Sequence, residues 1–252
     1  MNSKQIPGLN SALSVRGASY LVLTAIVFIV FAALQYSSSG PLPTDVNQAI
    51  EGLQKRYEKI KTCKVNFHQS LTSAAFRKVI READGVIYYT KPGKIRWEYK
   101  APEERLYLID GEMFWDYEPK AKQVLKLPVS VALAGDVPQG FLFGAGNLRK
   151  DFQITLITDP PPAPTEKGYR LSLNPKDPDL RAAISNLVLV VNSTDYSVTA
   201  SSFTDVQGNI NNYTFSNIVD NPALDPEMFR FKIPRGVKVI VPATEVEKKK
   251  HK

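Results

Sequence analysis

The chain reads as a mainly β protein: one amphipathic helix followed by about a dozen short strands in series, as in a sandwich or barrel. Three observations predict this. The apolar period changes from 3.6 to 2 after Cys63. Turn signals such as Pro92-Gly93, Asp110-Gly111 and Gln207-Gly208-Asn209 separate the alternating runs. No strand-helix-strand alternation, G-x-G-x-x-G or phosphate-binding loop occurs, which disfavours parallel-sheet nucleotide folds.

The helix comes first. Thr44 and Asp45 offer an N-cap behind Pro41 and Pro43, and Val46, Ile50, Leu53, Tyr57 and Ile60 then recur on one face with Ala49. Lys55, Arg56, Glu58 and Lys59 take the other face, giving roughly four turns with a narrow apolar stripe.

The strands follow. Val65, Phe67, Gln69 and Leu71 alternate with polar residues, and Phe76 to Ile80 continues beyond a short break. Gly85–Thr90, Ile95–Tyr99, Leu106–Ile109, Met113–Tyr117 and Val124–Leu127 succeed one another as hairpins. Phe152–Ile157, Tyr169–Leu173, Leu187–Val191, Ser197–Phe203, Ile210–Phe215 and Phe229–Ile233 complete the series. Two segments interrupt it: the apolar, Gly-rich Val129–Leu148, and Thr158–Gly168, whose Pro160–Pro164 stretch marks a surface loop.

The amino-terminal forty residues read as an address. Lys4 and Arg16 precede the uncharged run Tyr20–Leu34, with Ser37, Ser38, Ser39 and Gly40 behind it. A basic start, a 15-residue apolar run and small residues fit a secretory signal cleaved before Gly40; a retained amino-terminal anchor is the alternative. The organisation is then 1–40 as signal or anchor, 41–242 as one domain and 243–252 as a basic tail. The net charge of +7 belongs partly to the ends. Residues 1–40 hold two of the 32 basic residues and none of the 25 acidic ones, and the tail adds a run of lysines that reads as a solvated end.

Chemistry is sparse. One cysteine, Cys63, and two histidines, His68 and His251, exclude an internal disulfide, multi-cysteine clusters and histidine-rich metal sites. His68 falls on the polar side of its strand, and no G-x-S-x-G supplies a nucleophile. Trp97 and Tyr99 alternate with Arg96 and Lys100, so aromatic and basic residues take opposite faces and make no stacking platform for nucleic acid. What remains is apolar surface. Trp97, Tyr99, Met113 and Trp115 concentrate large side chains on neighbouring strands. A curved sheet with an apolar concave face, closed by the helix and by Val129–Leu148, suits an acyl chain. About 0.8 kcal/mol per methylene makes burial of a chain of some 16 carbons worth on the order of 10 kcal/mol, without any catalytic group.

Two patches carry a family resemblance. The first is DGVIYYTKPGKIRWEYKAPEERLYLIDGEMFWDYEP (Asp84 to Pro119), and the second is DPEMFRFKIPRGVKVI (Asp225 to Ile240). In order, and behind an export signal, they resemble the LolA family of periplasmic outer-membrane lipoprotein carriers, from about Val46 to Val241. The resemblance implies an incomplete antiparallel β-barrel of about 11–12 strands under a few helices, enclosing an apolar cavity. It implies a monomeric, non-enzymatic chaperone without cofactor. Such a chaperone takes acylated lipoproteins from an inner-membrane ABC transporter to an outer-membrane acceptor, with no nucleic acid partner. By position, Ile95 and Trp97 would line the cavity; Tyr99 and Trp115, among the large residues on neighbouring strands, are expected to join them, with Phe141, Leu142 and Phe143 near ligand or lid. Lys91 stands where family members often place an arginine that bonds lid backbone, and lysine lacks the planar fork. Two other readings remain: an anchored acceptor or sensor of the same fold, and an exported hydrolase using His68 or a carboxylate pair.

Overall fold

A computed structural model describes residues 44–129, 148–158 and 168–241. The apolar stripe read from the sequence forms helix α1 (Thr44–Lys59). Val46, Ala49, Ile50, Leu53 and Tyr57 are all buried, as is Ile60 just beyond it. Each large aliphatic residue so buried contributes about 1.5–3 kcal/mol.

Twelve strands make one sheet. In chain order they are β1 (Thr62–Thr72), β2 (Val79–Thr90), β3 (Lys94–Ala101), β4 (Arg105–Ile109), β5 (Met113–Glu118) and β6 (Gln123–Pro128). After the four-residue helix α2 (Leu148–Asp151) come β7 (Phe152–Leu156), β8 (Gly168–Pro175) and helix α3 (Pro178–Ala183). Then follow β9 (Ile184–Asn192), β10 (Val198–Asp205), β11 (Ile210–Asp220), a 3-10 turn at Pro226–Phe229 and β12 (Lys238–Ile240). Their order across the sheet is β12-β6-β5-β4-β3-β2-β1-β11-β10-β9-β8-β7. Every pairing is antiparallel except β12 on β6. Edges β7 and β12 are not paired with one another among the described residues, so the barrel is incomplete, as expected.

Pleat alternation gives the sheet two apolar faces. The inner face carries Phe67, Ile95, Trp97, Tyr99, Ile109, Phe114, Phe203 and Tyr213, packed in one cluster with the stripe of α1. On the outer face, Leu108, Trp115, Val124 and Phe229 form a second cluster with Leu224, Met228, Phe231 and Val237. The chain after β11 therefore straps across the outside of the sheet before β12 joins the far edge.

Three expectations need correction. Phe229–Ile233 is not a strand: Pro226 at the start of the 3-10 turn and the Asp225 cap on Glu227 N–H redirect the backbone. Phe76 does not continue β1 but sits in the turn, with β2 starting at Val79. The short strand β12 was not expected, because its three residues alternate too briefly to register.

Gly85 lies directly across from Phe67. A Cβ there would overlap the Phe67 ring and the Glu98 carbonyl, so only glycine lets this ring lie flat on the sheet.

Candidate functional site

The inner face is an aromatic floor. Phe67 meets Trp97 edge-on at 5.1 Å and Tyr99 at 5.0 Å between ring centroids. Trp97 and Tyr99, two residues apart on β3, stack at 6.2 Å, and Tyr213 reaches Trp97 from β11 at 5.6 Å. Tyr107 extends the floor to Phe114. Edge-to-face and offset contacts of this kind add about 0.5–1.5 kcal/mol per pair beyond burial.

One end of the floor is polar but neutral. Tyr99 Oη donates to Gln69 Oε1 at 2.9 Å, and Gln69 Nε2 donates to Asn211 Oδ1 at 3.1 Å. Gln69 and Asn211 are buried, so these bonds offset the cost of taking two amides out of water. Burial holds the Tyr99 and Tyr213 hydroxyls above the ordinary phenol range, so both stay uncharged. Beyond them, Arg81 lies over the Tyr99 ring at 5.8 Å and Arg105 over Tyr107 at 5.0 Å. Arg105 grips Asp116 with two bonds, of 2.8 and 2.7 Å, so this buried carboxylate is paired.

Helix α1 covers the floor and is tied down at its sides. Lys91, in the β2–β3 turn, donates through Nζ to the carbonyl oxygens of Tyr57 at 2.7 Å and Glu58 at 3.4 Å. These belong to the helix's last turn, whose carbonyls lack helical partners. Burial lowers the Lys91 pKa, and Glu58 opposes that shift. Arg56 bridges Asp195 at 3.1 Å and Asp220 at 2.7 Å. Arg149 donates to Asn47 Oδ1 at 2.6 Å. Gly52 rests against the Tyr196 ring so closely that a Cβ would overlap it.

Ile95, Trp97 and Tyr99 therefore share the inner face. Trp115 does not. It lies on the outer face, stacked on Phe231 at 5.1 Å, with Nε1 donating to Asp110 Oδ2 and Lys126 Nζ 4.9 Å above its ring. Its neighbour Phe114 takes the inner position, because successive strand residues point to opposite faces. Phe141, Leu142 and Phe143 lie outside the described residues, as do 20–34, Pro160–Pro164 and the lysine tail.

His68 is on the outer face, half-exposed, with Nδ1 2.8 Å from Asp84 Oδ1. Cys63 is buried on the inner side, where burial pushes its thiol up to about 12. The two side chains thus point to opposite faces and share no site. Alternation did not single out Phe203, Tyr213 or the Gln69–Asn211 link, which depend on register with strands far along the chain.

Comparison with known proteins agrees with this architecture. The family model described as outer membrane lipoprotein carrier protein LolA matches residues 58–232. The outer-membrane lipoprotein carrier protein of Nitrosomonas europaea is 30% identical over 208 residues, 79% of this chain and 92% of its own. That of Cupriavidus pinatubonensis is 29% identical over 223 residues, 87% of this chain and 97% of its own. Among solved structures, an uncharacterized conserved protein from Thermus thermophilus superposes with a TM-score of 0.50 at 11% identity, covering 78% of this chain and 98% of that one. This last likeness is one of fold alone.

Proposed function

The chain belongs to the LolA family of outer-membrane lipoprotein carrier proteins, and from that premise we propose that it shields the acyl chains of lipoproteins against its inner face while they cross the periplasm. Residues 1–40 direct export, 41–242 form the carrier, and 243–252 are a solvated tail. An inner-membrane ABC transporter loads the cargo, and an outer-membrane acceptor removes it.

The observation that carries this reading is the continuous aromatic floor under a helix held by polar contacts at its margins. Acyl chains entering the floor displace the apolar stripe of α1. The burial given up by Val46, Ile50 and Leu53 is returned by the methylenes that replace them, at about 0.8 kcal/mol each. Near-balance of these two terms makes loading reversible, which a carrier requires. The Tyr99 and Tyr213 hydroxyls remain neutral, and the charged groups at that end of the floor, Arg105 and Asp116, are paired with one another.

The test is retention of a palmitoylated peptide by exported protein. Trp97→Asp places a carboxylate in the floor and should reduce retention at least tenfold. In a Trp115→Phe background, Trp97 is the remaining tryptophan, and a brominated acyl chain should quench its fluorescence. Undiminished retention by folded Trp97→Asp protein, with no quenching, would overturn the assignment.

A further inference from the structure

The described surface carries a cluster of large apolar side chains away from the inner face. Phe76 is 70% exposed, Val79, Ile80 and Val206 about half, and Ile210 41%. They come together at the tips of two adjacent hairpins, β1–β2 and β10–β11. Ile210 pairs with Thr72, and Thr72 pairs with Val79. Ala74 N–H donates to Asn209 Oδ1 at 3.1 Å, tying one tip to the other.

The β1–β2 tip is built to hold this shape. Ser73 N–H donates to the Lys78 carbonyl at 3.0 Å, and Arg77 N–H returns to the Ser73 carbonyl at 2.8 Å. Phe76 N–H donates to Ser73 Oγ, and Arg77 takes a left-handed φ of 52°. The backbone is thus set with Phe76 exposed, and little backbone ordering cost remains on docking. Val79 pairs with Thr72 and Arg81 with Leu71, which leaves Ile80 as the extra residue of a bulge. Apolar groups therefore surround the tip instead of lining one side. Such a convex knob fits a fluid medium better than a flat protein face.

Charge decides which medium. Residues 73–81 contain Arg77, Lys78 and Arg81 and no acid, and Lys78 Nζ lies 6.0 Å from the Phe76 ring centre. Glu82 borders the tip, Glu103 near Arg81 is paired with Lys120 at 2.8 Å, and the Asp205 carboxylate is engaged by Gln207 and Asn209 N–H within its own turn. Aromatic and aliphatic groups framed by cations match the acyl boundary and headgroups of an anionic bilayer.

We propose that the paired hairpin tips, led by Phe76 with Val79, Ile80, Val206 and Ile210 and framed by Arg77, Lys78 and Arg81, dock the protein onto anionic phospholipid surfaces. The tip lies three residues of β1 beyond Gln69, about 10 Å from the polar end of the floor. This extends the carrier reading by giving acyl chains a short path between carrier and membrane.

The test places a nitrobenzoxadiazole label on Ala75→Cys in the full exported chain; buried Cys63, its thiol raised to about 12, leaves the label at position 75. The label reads this tip alone, whatever the amino-terminal segment does. With phosphatidylglycerol vesicles its emission should shift blue and be quenched by nitroxide lipids. Phe76→Ser, or Arg77→Glu with Lys78→Glu, should weaken the apparent affinity at least fivefold. No shift on adding vesicles overturns the proposal. An equal shift with phosphatidylcholine overturns the anionic assignment, and a shift on concentrating the protein without lipid points instead to a second copy of this chain. Palmitoyl-peptide retention is measured on the same proteins. Phe76→Ser should keep it, so loss of membrane docking and failure of the carrier reading are told apart.

Discussion

Lys91 Nζ lies 2.7 Å from the Tyr57 carbonyl oxygen, joining the β2–β3 turn to the last turn of α1. A lysine here performs with one ammonium what a planar guanidinium does with several donors: it caps carbonyls the helix itself leaves open. Being half-buried and charge-assisted, the contact contributes about 1 kcal/mol after solvent screening.

Removing it should loosen the helix and spare the sheet. Lys91→Met is expected to speed amide exchange across residues 53–59 about fivefold, while β1 and β2 amides keep their protection. Lys91→Arg should restore the slow rates. Equal acceleration in sheet and helix would show that Lys91 supports the whole fold and not the seat of α1.

Gly52 offers a prediction whose sign is opposite to helix propensity. At an open helix position, Gly→Ala gains about 1 kcal/mol. Here the new methyl meets the Tyr196 ring, which stands in a left-handed turn with φ of 58° and has little freedom to retreat. Gly52→Ala should therefore destabilise by about 1–3 kcal/mol in urea denaturation. Tyr196→Gly, which removes the ring, should turn the same substitution neutral or favourable. Stabilisation by Gly52→Ala alone would contradict this packing.

The stripe of α1 was legible because five apolar residues share one helical face against a polar one, a pattern that admits a single reading. The strand β5 was not. MFWDYE places large apolar side chains on both faces: Phe114 inward, and Met113, Trp115 and Tyr117 outward. Local alternation favours the face with more of them, which is the outer one. It is dry because the segment carrying Met228, Phe229 and Phe231 arrives from more than a hundred residues away. The Gln69–Asn211 bond has the same origin, since its partners are 142 residues apart and meet only through the β1–β11 register.

Trp115 can consequently be separated from Trp97 by experiment. Trp115→Phe removes the bond to Asp110 and should cost about 1–2 kcal/mol of stability. Palmitoyl-peptide retention should stay within twofold of the parent, against a tenfold loss for Trp97→Asp. A matching loss at both positions would mean that the outer cluster also holds acyl chains.

Alkaline pH should unfold the protein through its buried acids. Burial raises the Tyr57, Tyr89, Tyr99 and Tyr213 hydroxyls above their ordinary value of 10.0, and the Cys63 thiol from 9.0 to about 12. For a group whose folded pKa is raised, the unfolded chain gives up its proton first. The native state then binds more protons, and stability falls as pH rises. The contribution is complete below the unfolded value and is lost as pH climbs through the folded one. Each group removes up to about 1.4 kcal/mol per pH unit in that window. Lys91 works the other way: its lowered pKa makes stability rise with pH up to its ordinary 10.5. Below pH 10.5 it opposes the thiol, and above pH 10 the four tyrosines dominate. Urea midpoints of the exported protein should hold roughly level to pH 9.5 and fall steeply beyond pH 10, with Tyr99→Phe showing a shallower fall. Midpoints that stay level to pH 11 would mean that the tyrosines ionise freely, and that the aromatic floor is open to water.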